Sequence, residues 1–111
     1  MTLTLVRLKC PPEKTADLAK ALRSLMRGVR AEQGFVLCRL YLEIDETNTI
    51  CYEERWQDVE FLETQLRSER YTRLMAIMES AAEQPSVEFH LVSETHGMEY
   101  IAVARGQRSI T

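Results

Sequence analysis

The sequence predicts a single α+β domain in which four strands and two helical segments alternate in the order β-α-β-β-α-β. Three observations carry this. Runs of β-branched and leucine residues with period two lie near residues 2–9, 35–43, 49–56 and 86–92. Apolar residues recur at helical spacing across 13–34 and 58–84. Turn residues separate the two middle strands closely enough for a hairpin. That order is the split βαβ, or ferredoxin-like, topology, with a four-stranded antiparallel sheet. A chain of 111 residues suits one such core.

The first strand, TLTLVRLK, stops at Pro11-Pro12. Leu3, Leu5 and Arg7 line one face and Thr4, Val6 and Leu8 the other. Neither face is polar throughout, so both are expected to be covered. The helix that follows presents Leu18, Ala19, Leu22, Leu25, Met26 and Val29 on one side, with Gly34 placed as its C-terminal cap. In FVLCRLYLEI, the spacing assigns Val36, Cys38, Leu40 and Leu42 to the core. Phe35, Leu37, Arg39, Tyr41 and Glu43 fall on the opposite face. DETN turns the chain into TICYEERW, where Ile50, Tyr52, Glu54 and Trp56 share a face.

Asp58 is positioned to cap the next helix, with Glu60 in its first turn. Val59, Leu62 and Leu66 hold an apolar stripe. It slips at Glu69 and Arg70, and a new phase starts at Tyr71 and runs through Leu74, Met75 and Met78. The spacing therefore predicts a short helix, a break near Ser68, and a longer helix ending before Pro85. SVEFHLV reads as the last strand. The domain spans 1–97, and 98–111 is an extension read as an extra strand or an arm crossing to a partner subunit. Phe35 and Leu37 on the second sheet face predict a homodimer formed through the sheet.

Composition narrows the function. A net charge of −3 argues against nucleic acid, whose binding depends on neutralising phosphates. No apolar stretch reaches the length of a membrane span. The start is too short and polar for a secretory signal. Three cysteines without a CxxC pair argue against an oxidising compartment. His90 and His96 lie far in sequence from the cysteines, so no metal-ligand spacing arises. These features suit a cytoplasmic domain without metal or cofactor.

Several side chains fit both a chemical and a structural role. Trp56 suits a cavity wall for an aromatic ligand, or packing under the following helix. Glu54 suits a base, an ion pair with Arg39 or Arg55, or an acceptor of backbone N–H groups. Tyr41, Tyr52 and Tyr71 suit donors to a quinol or enolate oxygen, and Tyr52, sharing a face with Trp56, is the strongest of them. Arg39 in an apolar strand needs a partner and suits an anionic intermediate, or an ion pair with Glu43 or Glu54. His90 is the strand histidine suited to proton transfer near neutral pH. Met75 and Met78 suit core packing or an adaptable wall for hydrophobic ligands.

Glu54-Arg55-Trp56-Gln57-Asp58, followed by Leu62-Glu63 and Leu66-Arg67-Ser68, resembles a segment of the antibiotic biosynthesis monooxygenase family. There a strand ends in Glu-x-Trp and a helix opens with a Leu-Glu-x-His-Leu-x-Ser-x-His-type run. The spacing matches without a gap from Glu54 to Ser68, and the order of elements agrees to about residue 95. The chain departs at Gln65 and Arg70, where many members carry histidine, and at Glu69, where they carry proline. An amide cannot transfer protons in the useful range. The haem-degrading branch shares Trp56 but needs a helix histidine on iron, and YTRLMAI contains none.

The resemblance implies a ferredoxin-like unit that dimerises into an α/β barrel. It also implies a quinol-monooxygenase-like activity on an electron-rich aromatic, such as a quinol or polycyclic phenol, with no cofactor. His90, Tyr52 and Arg39 would then be catalytic, with Trp56, Glu54, Tyr41, Tyr71 and Met75 binding a small hydrophobic or aromatic substrate. The alternatives are a non-catalytic dimeric ligand-binding or interaction domain on the same scaffold, and isomerase or cyclase chemistry.

Overall fold

The computed structural model describes residues 1–106. Its elements are β1 (Thr2–Lys9), α1 (Thr15–Met26), β2 (Phe35–Leu42), β3 (Thr49–Trp56), α2 (Val59–Leu66), α3 (Glu69–Met78), β4 (Ser86–Leu91) and α4 (Glu99–Ala104). The strands form one antiparallel sheet in the order β2-β3-β1-β4. This is the ferredoxin-like arrangement, with two central strands contributed by opposite halves of the chain.

Register assigns each side chain to a face, because residues paired across strands point the same way. Thr4 pairs with both Glu54 and Phe89, and Val6 with Tyr52 and Val87. These residues face the helices. Val6, Leu8, Ile50 and Tyr52 pack there against Leu18, Leu22 and Leu25 of α1 and Leu74 of α3. A second cluster joins Val29, Trp56 and Leu62. Burying one such leucine or isoleucine side chain contributes about 1.5–3 kcal/mol. The other sheet face carries Leu3, Leu5, Leu37, Arg39, Tyr41, Glu53 and His90.

The caps follow the sequence reading. Asp58 accepts the Phe61 N–H at 3.2 Å, and Ser68 accepts that of Tyr71 at 3.2 Å. The break near Ser68 is therefore a helix end joined directly to a new N-cap.

Three local expectations need correction. α1 ends at Met26, not near Gly34, because Arg27 is extended and Gly28 takes a left-handed φ of 78°. This redirects the chain and inserts Val29, 1% exposed, against Trp56. Gly34 instead opens β2. It too has φ 78°, and a Cβ there would lie 2.2 Å from the Phe61 ring, so only glycine fits the corner. In β2, a bulge between Phe35 and Leu37 sets two residues against one. It turns Phe35 onto Trp56 and leaves Val36, expected in the core, 42% exposed. Finally, the extension contains the helix α4 rather than a strand. Residues 107–111 of that extension lie outside the described residues.

Candidate functional site

β3 ends in Tyr52, Glu54 and Trp56, all turned toward the helices and almost fully buried. A carboxylate at such a depth must find donors. Glu54 finds three. Tyr52 donates its hydroxyl proton to Oε2 and Trp56 Nε1 donates to Oε1 at 3.0 Å. Arg70 from α3 approaches both oxygens in a bidentate pair, Nη1 to Oε2 at 2.6 Å and Nη2 to Oε1 at 2.9 Å. Gln65 from α2 is also buried, and its Oε1 accepts from Arg70 Nε at 3.3 Å and Nη2 at 3.1 Å. Arg70 Nη1 reaches the Tyr52 oxygen as well, at 3.1 Å. Gln65 and Arg70, the two positions where the resemblance leads one to expect histidine, thus close a single network around Glu54.

The sequence reading missed this partnership. Its signal was the apparent slip in the helical stripe. Arg70 stands one turn before Leu74 on the inward side of α3, and an arginine on an apolar stripe marks a buried acceptor.

The network determines what its members can do. Tyr52 has one proton, and it is committed to Glu54. Burial, and then the Glu54 charge, hold the phenol far above the usual tyrosine range. Tyr71, half-buried on α3, is raised by burial and then by Glu54. Burial opposes the Arg70 charge, but bonding to Glu54 more than offsets it, so the guanidinium is held more firmly charged.

The remaining residues proposed from the sequence lie elsewhere. Arg39, Tyr41 and His90 belong to the opposite sheet face. Arg39 sits 3.8 Å from buried Glu53, which Arg55 also bonds at 3.1 Å. His90 Nε2 lies 3.6 Å from Glu88. Met75 is exposed on α3 and borders a separate hollow with Met78 and Val87. Within one protomer the fold therefore brings Tyr52, Glu54 and Trp56 together and separates them from His90 by the thickness of the sheet.

A groove of about 920 Å³ lies between α1 and the edge strand β2. Ala16, Ala19, Arg23 and Met26 form its helical wall at 3-4-3 spacing, and Cys38, Leu40 and Leu42 supply alternate positions of the facing strand. Arg39 and Tyr41 alternate with these at the strand edge and touch only the rim of the groove, their side chains lying on the opposite sheet face. Its floor touches the network, because the Cys38 thiol donates to the Tyr52 oxygen at 3.4 Å. Among the described residues, no group of three or more His, Cys, Asp or Glu side chains is placed to hold a metal ion. No helix there is long and apolar enough to cross a membrane.

These buried groups have a consequence for pH dependence. Burial pushes the Cys38 and Cys51 thiols up to about 11, and Tyr52 is raised further. In the unfolded chain they ionise at about 8.5 and 10. A group whose pKa is raised by folding stabilises the fold below its unfolded value, and the benefit is lost as pH rises. The urea midpoint is therefore expected to fall from about pH 8.5 upward, with Tyr52 phenolate absorbance appearing only on unfolding. A midpoint unchanged up to about pH 10.5 would contradict the buried placement of these groups.

A ferredoxin-like sheet with a buried Tyr-Glu-Trp strand end and an apolar groove beside it defines a small α+β domain. The family model described as antibiotic biosynthesis monooxygenase matches residues 1–77, and the chain belongs to that family. Solved structures agree in fold. One from Deinococcus radiodurans, provisionally described as an antibiotic biosynthesis monooxygenase, is 16% identical with a TM-score of 0.79, covering 88% of this chain and 98% of its own. A Mycobacterium tuberculosis protein is 18% identical with a TM-score of 0.75, at 86% and 98% coverage. A Caulobacter crescentus protein with the same provisional description is 22% identical with a TM-score of 0.74, at 84% and 90%. No curated protein matches the chain.

Proposed function

We propose that the protein is a cofactor-independent monooxygenase that oxidises an electron-rich aromatic, such as a quinol or polycyclic phenol, in the groove between α1 and β2. The groove is the observation that carries this reading. Its volume of about 920 Å³ suits a fused-ring body, and its walls are mainly apolar. On a ring methylene activated by neighbouring phenols, loss of a proton leaves a carbanion that reduces dioxygen. The CH2 group and O2 become a C=O group and one water, and the substrate supplies all four electrons.

The chain's contribution is to favour the anion. Arg23 is the cation on the groove's helical wall, and Arg39 and Tyr41, whose side chains lie on the opposite sheet face, reach only its rim at the strand edge. The groove lining contains no carboxylate or histidine. In this reading the first proton therefore leaves to water from a substrate acidified by Arg23. Tyr52, Glu54 and Trp56 act as positioning residues that hold Cys38 at the floor. His90 is assigned to the opposite sheet face, where we place a second copy of the chain over Leu3, Leu5 and Leu37. A monomeric mass at micromolar concentration in light scattering would count against that dimer. Three unpaired cysteines suit a cytoplasmic location.

Incubation with hydroquinones and anthrones, without added flavin or metal, is expected to show oxygen uptake above autoxidation. Ala19→Trp, which fills the groove, is expected to reduce it at least about tenfold, a loss of about 1.4 kcal/mol in transition-state stabilisation. Uptake at the autoxidation rate across the panel would overturn the oxygenase reading. The second reading, a non-catalytic ligand-binding domain, is favoured by one observation. Both oxygens of Glu54 and the single proton of Tyr52 are already engaged.

A further inference from the structure

We infer that the ligand of the α1–β2 groove is an amphiphilic organic acid, held by its carboxylate on Arg23 with its apolar body lying along Ala16, Ala19 and Leu40. This rests on the reading of the groove as the ligand site and goes beyond it by naming the recognised group. The 3-4-3 stripe of α1 places one arginine among alanines and a methionine, so the helical wall is apolar except at Thr15 and a single cation. Small side chains at positions 16 and 19 leave room for a flat body, while Arg23 stands one turn further along.

The polar inventory of the groove points one way. Arg23 makes no ion pair among the described residues, and Arg39 has only the 3.8 Å approach to Glu53. Thr15 is already bonded, its hydroxyl lying 3.2 Å from the Pro11 carbonyl and 3.1 Å from Asn48 Oδ1. The Cys38 thiol is directed at Tyr52. What remains for a ligand on the helical side of the groove is the Arg23 guanidinium, with no protein carboxylate paired to it among the described residues. Guanidinium matches a carboxylate in a planar, two-bond geometry that an ester or amide cannot reproduce. A chain of net charge −3 does not attract anions generally, so any preference for an acid must be local.

The test compares anthracene-2-carboxylate with its uncharged primary amide by equilibrium dialysis against the full chain. Neither probe has an oxidisable methylene, so binding is read without turnover. The acid is expected to bind at least about tenfold more tightly than the amide. Arg23→Gln is expected to remove that preference, bringing the affinity for the acid down to that for the amide. Ala19→Trp is expected to weaken both probes.

The inference is overturned if acid and amide bind equally, or if neither binds. It is also overturned if the preference survives in Arg23→Gln, or if Ala19→Trp weakens neither probe, either of which would place the ligand elsewhere. A retained acid preference without oxygen uptake on any phenolic substrate would remove the oxygenase reading and leave this one standing.

Discussion

Arg70→Met is expected to lower the unfolding free energy by about 3–5 kcal/mol. The guanidinium side chain is 14% exposed and the Glu54 side chain 6%, so the pair is screened little by solvent. Methionine fills much of the volume, which isolates the electrostatic effect from a packing loss. The loss arises because Glu54 stays buried with its Tyr52 and Trp56 donors but without a countercharge. Gln65 also loses its arginine partner. Adding Glu54→Gln removes the stranded charge, so the double variant is expected to be more stable than Arg70→Met alone, despite carrying one more substitution. Urea denaturation of the three proteins checks this. A cost below about 1 kcal/mol for Arg70→Met would show that the network is not closed as described.

Trp56→Ala is expected to cost a similar amount, about 3–5 kcal/mol, for a different reason. Trp56 is fully buried, meets Phe35 edge-on with ring centroids 5.8 Å apart, and joins Val29 and Leu62 in the second core cluster. Truncation leaves a cavity under α2. Trp56→Phe keeps most of the packing but removes the Nε1 donor to Glu54, and is expected to cost about 1.5–3 kcal/mol. If the phenylalanine variant were as unstable as the alanine variant, the hydrogen bond would outweigh the packing. If both were mild, the strand end would not be the anchor that its burial implies.

These two changes bear on how the family relation is to be understood. Sequence comparison sees Gln65 and Arg70 as two separate departures from a histidine pattern. In space they are one assembly around Glu54. Three charged or polar side chains from β3, α2 and α3 satisfy one another, and the proton-transfer sites that histidines would supply are replaced by groups that do not titrate near neutral pH. Under the function proposed above, the chemistry then falls to the groove beside this network, where the ligand's own acidity and Arg23 matter most.

The elements, their order and their caps were legible because each depends on neighbours within one or two turns. Asp58 and Ser68 signal helix starts through residues three positions away, and the alternation in β3 places Tyr52, Glu54 and Trp56 together without reference to anything else. The bulge at Phe35 was not legible. A shift of one residue in pairing changes no local propensity, yet it exchanges Phe35 and Val36 between the two faces. The early end of α1 turns on Gly28, a residue that both helices and turns tolerate, and is decided by the core space Val29 fills beside Trp56. Residues 99–104 form the helix α4 where an extra strand was one of two expectations, because six residues of mixed apolar character fit either period.

For the site, residue types were readable and residue partners were not. Sequence alone established an α+β, split βαβ domain, a strand ending in a buried tryptophan and glutamate, and the segment by which the chain resembles its family. Tertiary structure decided that Glu54 pairs with Arg70 rather than Arg39 or Arg55. It also decided that His90 faces away from Tyr52, and that the open concavity lies between α1 and β2. The physical reason is the range of the forces. Propensity, capping and periodicity act along the chain over a few residues. A buried ion pair forms between whichever charges the packed sheet and helices bring to the same depth, and their separation in sequence does not predict it.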